Sequence, residues 1–171
     1  EIPKMFLYNQ ALCLSDMTSA RHGTISSSWE RYGTWKGINS ETDAPTSATE
    51  LEVLAKGLFE KGRLLDVIQN FIVFEADGDG DAVTYTKKMA LYHQYYGVNK
   101  TIDSTVRSVN GEQDRKIGVF WHTQGSGKSL SMVFYVNKTK RISELKSPAY
   151  VFLTDREDLD DQLHKVFSRT G

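Results

Sequence analysis

The sequence predicts an α/β fold in which a parallel-sheet portion follows an α+β portion. Three observations carry this. Apolar runs at residues 117–121 and 149–154 alternate with helical stretches, as βαβ units do. A glycine-rich turn at residues 122–129 joins the first run to its helix. The first half instead shows short alternating stretches followed by amphipathic helices.

In chain order, residues 5–8, 11–15, 24–26 and 29–35 read as strands, because bulky and polar side chains partly alternate. Residues 39–48, with Ser, Thr, Asp and Pro45, read as a loop. Thr46 or Ser47 is placed to cap a helix running to Gly57, with Leu51, Val53, Leu54 and Leu58 on one face. After Gly62, residues 64–74 read as a second helix with Leu65, Ile68, Phe71 and Ile72 inward. Residues 76–82 form an acidic turn. A calcium loop is excluded, because Ala82 stands where glycine is needed and Lys88 where glutamate is needed.

Residues 87–109 read as one long helix, with Met89, Tyr92, Tyr96, Asn99 and Val106 spaced by three, four or seven. Residues 110–112 break it. Residues 117–121 are then expected as a buried strand, 130–136 as a helix and 149–154 as a second buried parallel strand. A last helix opens at Asp155, with Leu159, Leu163 and Val166 inward. The composition shift near residues 75–85 divides the chain into 1–80 and 81–171.

The 171 residues carry a formal net charge of −1, with 39% hydrophobic and 25% charged residues, the balance of a water-soluble globular protein. That charge argues against a generally basic nucleic-acid coat and leaves room for a local patch. Cys13 is the one cysteine, so no internal disulfide forms. No apolar run approaches the roughly 20 residues needed to cross a membrane, and no leader pattern opens the chain. A cytoplasmic protein without a membrane partner is expected. Since Glu1 is not methionine, a piece of a longer protein or a processed product is expected too.

The turn carries the chemistry. His122-Thr123-Gln124-Gly125-Ser126-Gly127-Lys128-Ser129 lies between a strand and a helix, the setting of a phosphate loop. Gly125 and Gly127 lack Cβ atoms, so the backbone can bend and bring its N–H groups close to phosphates. Thr123, Gln124, Gly125, Ser126, Gly127, Lys128 and Ser129 are the expected nucleotide-binding residues. Lys128 would reach the β- and γ-phosphates and is the catalytic candidate; Ser129 would ligate Mg²⁺. The general pattern has glycine where His122 stands. Upstream, Gln94 lies on a polar–aromatic stretch, and its amide offers the donor and acceptor that suit an adenine edge. Thr154 and Arg156 end the next strand and are candidates to touch a polyanion. No metal-ligand partners at suitable spacing accompany His93 or His122. Glu144-Leu145-Lys146 reads as a solvated helix end.

Together these features resemble the restriction and motor subunit of type I restriction–modification enzymes. The resemblance rests on residues 87–96, on Phe120-Trp121 with the turn that follows, and on Leu153-Thr154-Asp155-Arg156 with Leu159 and Gln162. In that family these are the adenine-reading glutamine motif, the phosphate loop and the next superfamily-2 helicase motif. The histidine before Thr123 is typical of the family, whereas Leu91 stands where many members have Arg. Residues 6–10 and 16–24 also resemble the segment after the family's nuclease core.

The resemblance implies a P-loop NTPase (RecA-like) parallel-sheet portion in 81–171, and an α+β nuclease-domain remnant with linker helices in 1–80. It implies ATP and Mg²⁺ as cofactors, and double-stranded DNA and the methyltransferase and specificity subunits as partners. The activity implied is an ATP-dependent DNA translocase and type I site-specific endodeoxyribonuclease. A fragment alone is expected to be inactive, with the nuclease metal ligands before Glu1 and the Mg²⁺-orienting acidic motif beyond Gly171. Two other readings stay open: a stand-alone P-loop nucleotide-binding protein or kinase, and a non-catalytic assembly module.

Overall fold

The computed structural model describes residues 8–77, 83–153 and 167–168. The chain divides into two compact units, residues 1–93 and 94–171.

A hairpin opens the first unit. β1 (Leu12–Ser15) and β2 (Ala20–Gly23) pair antiparallel, Leu12 opposite Gly23 and Ser15 opposite Ala20. Asp16 fixes the turn: its carboxylate accepts from the backbone of Thr18 at 3.0 Å and Ser19 at 2.7 Å. A short acidic side chain thus replaces backbone turn bonds. On β2, Ala20, His22 and Gly23 are buried and Arg21 is exposed.

The strands expected at 24–26 and 29–35 do not form. Residues Trp29–Arg31 make one 3-10 turn, and Gly33 joins the sheet through a single bridge to His22. Here the bulky side chains plug gaps instead of lining a ladder. The Tyr32 ring fills the space a Cβ on Gly23 would need, and its hydroxyl donates to the Thr24 carbonyl at 2.9 Å. Trp35 is buried and meets the His22 ring edge-on at 5.5 Å.

The next two elements are helices. α1 (Glu50–Lys56) begins after Thr49, whose hydroxyl accepts from the Glu52 N–H at 3.2 Å, so the cap lies later than Thr46 or Ser47. Its inner face buries Val53 and Leu54, with Leu58 beyond its end. α2 (Lys61–Asn70) is capped by Glu60, whose carboxylate accepts from Gly62 and Arg63 N–H groups at 3.0 and 2.8 Å. It ends at Asn70, not Phe74. Val67 and Asn70 are its buried positions and Phe71 is buried just past its end, while Leu65 is 66% exposed.

Ile72-Val73-Phe74 leaves the helix because β3 (Ile72–Asp77) pairs antiparallel with β4 (Thr84–Met89), Ile72 opposite Met89 and Asp77 opposite Thr84. β-Branched and aromatic residues favour this pleated, half-buried setting. Val73 points in and Phe74 out. The same pairing removes the first residues from the expected 87–109 helix, which instead starts at Tyr92. Lys88 pairs with Glu75 across the ladder. The acidic turn's residues 78–82 lie outside the described residues, as do residues 5–7.

Lys87 draws three segments together. Its N–H donates to Ser26 Oγ at 2.6 Å, and its carbonyl accepts from Thr24 Oγ1 at 2.5 Å. Its ammonium donates to the Asn9 carbonyl at 3.0 Å and Gln10 Oε1 at 2.8 Å. Burial lowers this ammonium's pKa. Leu91 lies against Gly33, where a Cβ would collide with it.

In the second unit the main elements are α3 (Tyr92–Val109), nearly all of which lies in this unit, and α4 (Lys128–Thr139). Thr105 Oγ1 and the Tyr135 hydroxyl share a hydrogen bond of 2.9 Å, and Lys138 donates to Asn99 Oδ1 at 2.7 Å. Val98, Ile102, Val133 and Phe134 are buried.

The parallel strands expected at 117–121 and 149–154 are not formed among the described residues; residues 115–123 and 148–153 pair in no ladder. A strand exists only through its neighbours' hydrogen bonds, and neither segment has a paired neighbour. Both segments are also largely exposed. Val119 and Trp121 are 93% and 81% exposed, and Val151 and Leu153 are exposed as well. Phe120 and His122 turn toward α3. The helix expected after Asp155 lies outside the described residues except for 167–168.

Candidate phosphate-binding site

The turn before α4 has the backbone shape its glycines permit. Gly125 and Gly127 take φ of +79° and +80°, where side-chain-bearing residues are strained. Gly127, with ψ 37°, caps α4, and its carbonyl accepts the first helical bond from the Ser131 N–H at 3.1 Å. The N–H groups of Lys128, Ser129 and Leu130 therefore precede any intrahelical partner. Together with the helix dipole they give this end of α4 a partial positive charge.

Lys128 folds back over this loop. Its ammonium donates to the carbonyls of His122 at 2.9 Å and Thr123 at 3.1 Å. The Ser126 N–H donates to the Thr123 carbonyl at 3.3 Å and tightens the turn. Ser129 sits in the first turn of α4, one residue beyond Lys128. The stem of Lys128 also borders a largely apolar cavity of about 210 Å³ between α3 and α4, with Val98, Thr101, Phe120, Tyr135 and Phe152 in its wall.

Gln94 reaches the same loop from α3. It is buried, and its amide nitrogen donates to the carbonyl of Gly127 at 3.0 Å and more weakly to that of Ser126 at 3.5 Å. A Cβ on Gly127 would lie 2.7 Å from that nitrogen. Gly127 is thus required twice, by its φ and by Gln94.

Of the residues singled out from the sequence, Gln94, Thr123, Ser126, Gly127 and Lys128 are joined here by hydrogen bonds. Gln124 and Gly125 form the turn's crest, and Ser129 opens the helix. Thr154 and Arg156 lie outside the described residues. Sequence reasoning missed Gly97. A Cβ there would lie 2.6 Å from the Phe120 ring and 3.4 Å from His122 Cε1. Its position one turn after Gln94 was the available signal. Among the described residues no helix is long and apolar enough to cross a membrane.

The SWI2/SNF2 ATPase family model matches residues 93–171, the stretch holding Gln94, the loop and α4. The type I restriction enzyme HindI endonuclease subunit of Haemophilus influenzae is 46% identical over 170 residues, covering 98% of this chain. The type I restriction enzyme MjaIXP endonuclease subunit of Methanocaldococcus jannaschii is 37% identical over 187 aligned positions, again 98% of this chain. The chain spans 16% and 17% of the length of these two relatives.

Proposed function

We propose that this chain, which belongs to the endonuclease subunits of type I restriction enzymes, is the ATP-binding part of an ATP-dependent DNA translocase and site-specific endodeoxyribonuclease. The observation that carries the proposal is the cradle at Gly125 and Gly127, closed by Lys128 at the start of α4. A nucleoside triphosphate fits this donor set. The backbone N–H groups of Gly125, Gly127, Lys128 and Ser129 would face its phosphates, Lys128 would neutralise the β- and γ-phosphates, and Ser129 would ligate Mg²⁺. Gln94 would keep one amide hydrogen on the Gly127 carbonyl and turn its second hydrogen and its oxygen toward the adenine edge. Bound ATP–Mg²⁺ supplies the phosphoryl group whose hydrolysis powers DNA movement. The chain's residues contribute positioning and charge, which dominate phosphoryl transfer.

In this reading the first unit, residues 1–93, holds the end of the nuclease domain with its linker helices, and residues 94–171 begin the first RecA-like lobe. In the full-length protein residues 117–121 and 149–154 would pair as strands of that lobe's parallel sheet, which would bury the exposed Val119, Trp121, Val151 and Leu153. Thr154 and Arg156 contact the DNA backbone. The partners are double-stranded DNA and the methyltransferase and specificity subunits of the same system, and the setting is the cytoplasm. The identity with restriction endonuclease subunits supports this reading over a stand-alone kinase or an assembly module.

The test is Lys128→Ala in the full-length protein, assembled with its methyltransferase and specificity subunits on circular DNA. ATP hydrolysis, translocation and cleavage are expected to be abolished. Translocation by that variant would overturn the role given to Lys128. A folded, ATP-binding parent that never cleaves with its partners would move the protein to another class.

A further inference from the structure

We propose that His122 is a positioning residue that sets the spacing between the base-reading helix and the phosphate loop. It stands where the general loop pattern has glycine. The inference rests on the nucleotide-site reading above and deepens it, by naming what decides which base the site takes.

The geometry is a wedge. The His122 ring packs on Phe120, with centroids 4.4 Å apart and planes at 58°. Both rings seat against α3 at Gly97, where a Cβ would strike Phe120 at 2.6 Å and lie 3.4 Å from His122 Cε1. Gly97 follows Gln94 by three residues, so on a helix the two lie on one side, about a turn apart. Helix α3 therefore meets the loop segment at two points. At one the Gln94 amide holds the Gly127 carbonyl at 3.0 Å; at the other bare backbone holds the aromatic pair. The bonds of Asn99 to Lys138 and of Thr105 to Tyr135 hold the later turns of α3 to α4; the contacts at Gln94 and Gly97 fix the distance and tilt of its first turns against the loop.

The division of labour within His122 makes this testable. Its carbonyl accepts from Lys128 at 2.9 Å. That atom is backbone, and a side-chain substitution leaves it in place. Its ring faces α3. Removing the ring therefore loosens the base end of the site relative to the phosphate end and leaves the phosphate cradle intact. Small displacements of a positioning group carry large effects.

The experiment compares ATP, GTP and inorganic tripolyphosphate as ligands of the full-length protein carrying His122→Gly, His122→Ala or His122→Phe. For Gly and Ala, ATP binding is expected to weaken about tenfold, equivalent to about 1.4 kcal/mol, and the preference for ATP over GTP to fall by a similar factor. Tripolyphosphate is expected to bind as before, which also shows the loop is folded. His122→Phe keeps a ring against Gly97 and is expected to restore selectivity. Gly97→Val pushes the same rings from the helix side and is expected to reproduce the loss. Equal weakening of ATP and tripolyphosphate, an unchanged ATP-to-GTP preference, or failure of the Phe variant to restore it each overturns the proposal. Tripolyphosphate binding that survives Lys128→Ala would instead sink the phosphate-loop reading itself, whatever His122 does.

Discussion

The side-chain amide of Gln94 donates to the backbone carbonyl of Gly127 at 3.0 Å, joining a helix to a loop 33 positions later in the chain. The bond is part-buried and neutral, and it has a direction, because only the amide nitrogen donates. Gln94→Glu keeps the shape and loses the donor. It sets a carboxylate against the carbonyls of Gly127 and Ser126, so it is expected to destabilise the second unit by about 1–3 kcal/mol and to weaken ATP binding more than Gln94→Ala. Thermal unfolding together with an ATP titration checks both effects.

Glycines 111 and 127 have nearly the same φ, +76° and +80°, yet different surroundings. A Cβ on Gly111 meets nothing within 4 Å, whereas on Gly127 it meets Gln94 at 2.7 Å. Gly111→Ala is therefore expected to show the left-handed backbone penalty alone, about 1–2 kcal/mol, with ATP affinity unchanged. Gly127→Ala is expected to cost more than that and to lose ATP binding. Equal losses of stability in the two variants would show that Gln94 yields freely and that the contact is loose.

His22 makes the first unit sensitive to acid. Burial holds its pKa down at about 4, from an ordinary 6.5; the nearby backbone of Ala90 and Gly33 offsets this only in part, and neither ring nitrogen has a well-formed hydrogen bond. The folded pKa lies below the unfolded one, so the unfolded chain takes up the proton first as pH falls. The stability is fully present above about pH 6.5 and is lost progressively toward pH 4, by up to about 3 kcal/mol. His22→Leu places no titrating group there and is expected to flatten that slope. Urea denaturation of both forms at pH 7.5 and pH 5 measures it, and parallel pH profiles would refute the assignment.

The loop was legible because its chemistry is local. Gly125, Gly127, Lys128 and Ser129 lie within five positions, and their residue types alone require the bend, the charge and the helix start. α4 and the burial of Leu54 and Leu58 were readable for the same reason: periodicity and a cap lie in one short window. The β3–β4 hairpin was not. Ile72, Val73 and Phe74 satisfy a helical face as well as a strand, and the choice was made by residues 84–89, which pair with them. Helical spacing ran backward from Tyr92 through Met89 and hid that strand. The parallel strands were read from apolar content, but Val119, Trp121, Val151 and Leu153 are exposed and the segments unpaired, since strand state depends on neighbours. Gly97 stayed invisible because its importance lies in the Phe120 and His122 rings opposite it.

The hydrogen bonds of Lys87 also set a schedule. They tie it to residues 9, 10, 24 and 26, with sequence separations of 61 to 78. Contacts of such long range are slow to close. During vectorial synthesis the hairpin of β1 and β2 and both short helices emerge first, and must wait without this clasp until β4 leaves the ribosome. The early half of the first unit is therefore expected to acquire protection from proteolysis in a single late step, timed by the arrival of one lysine.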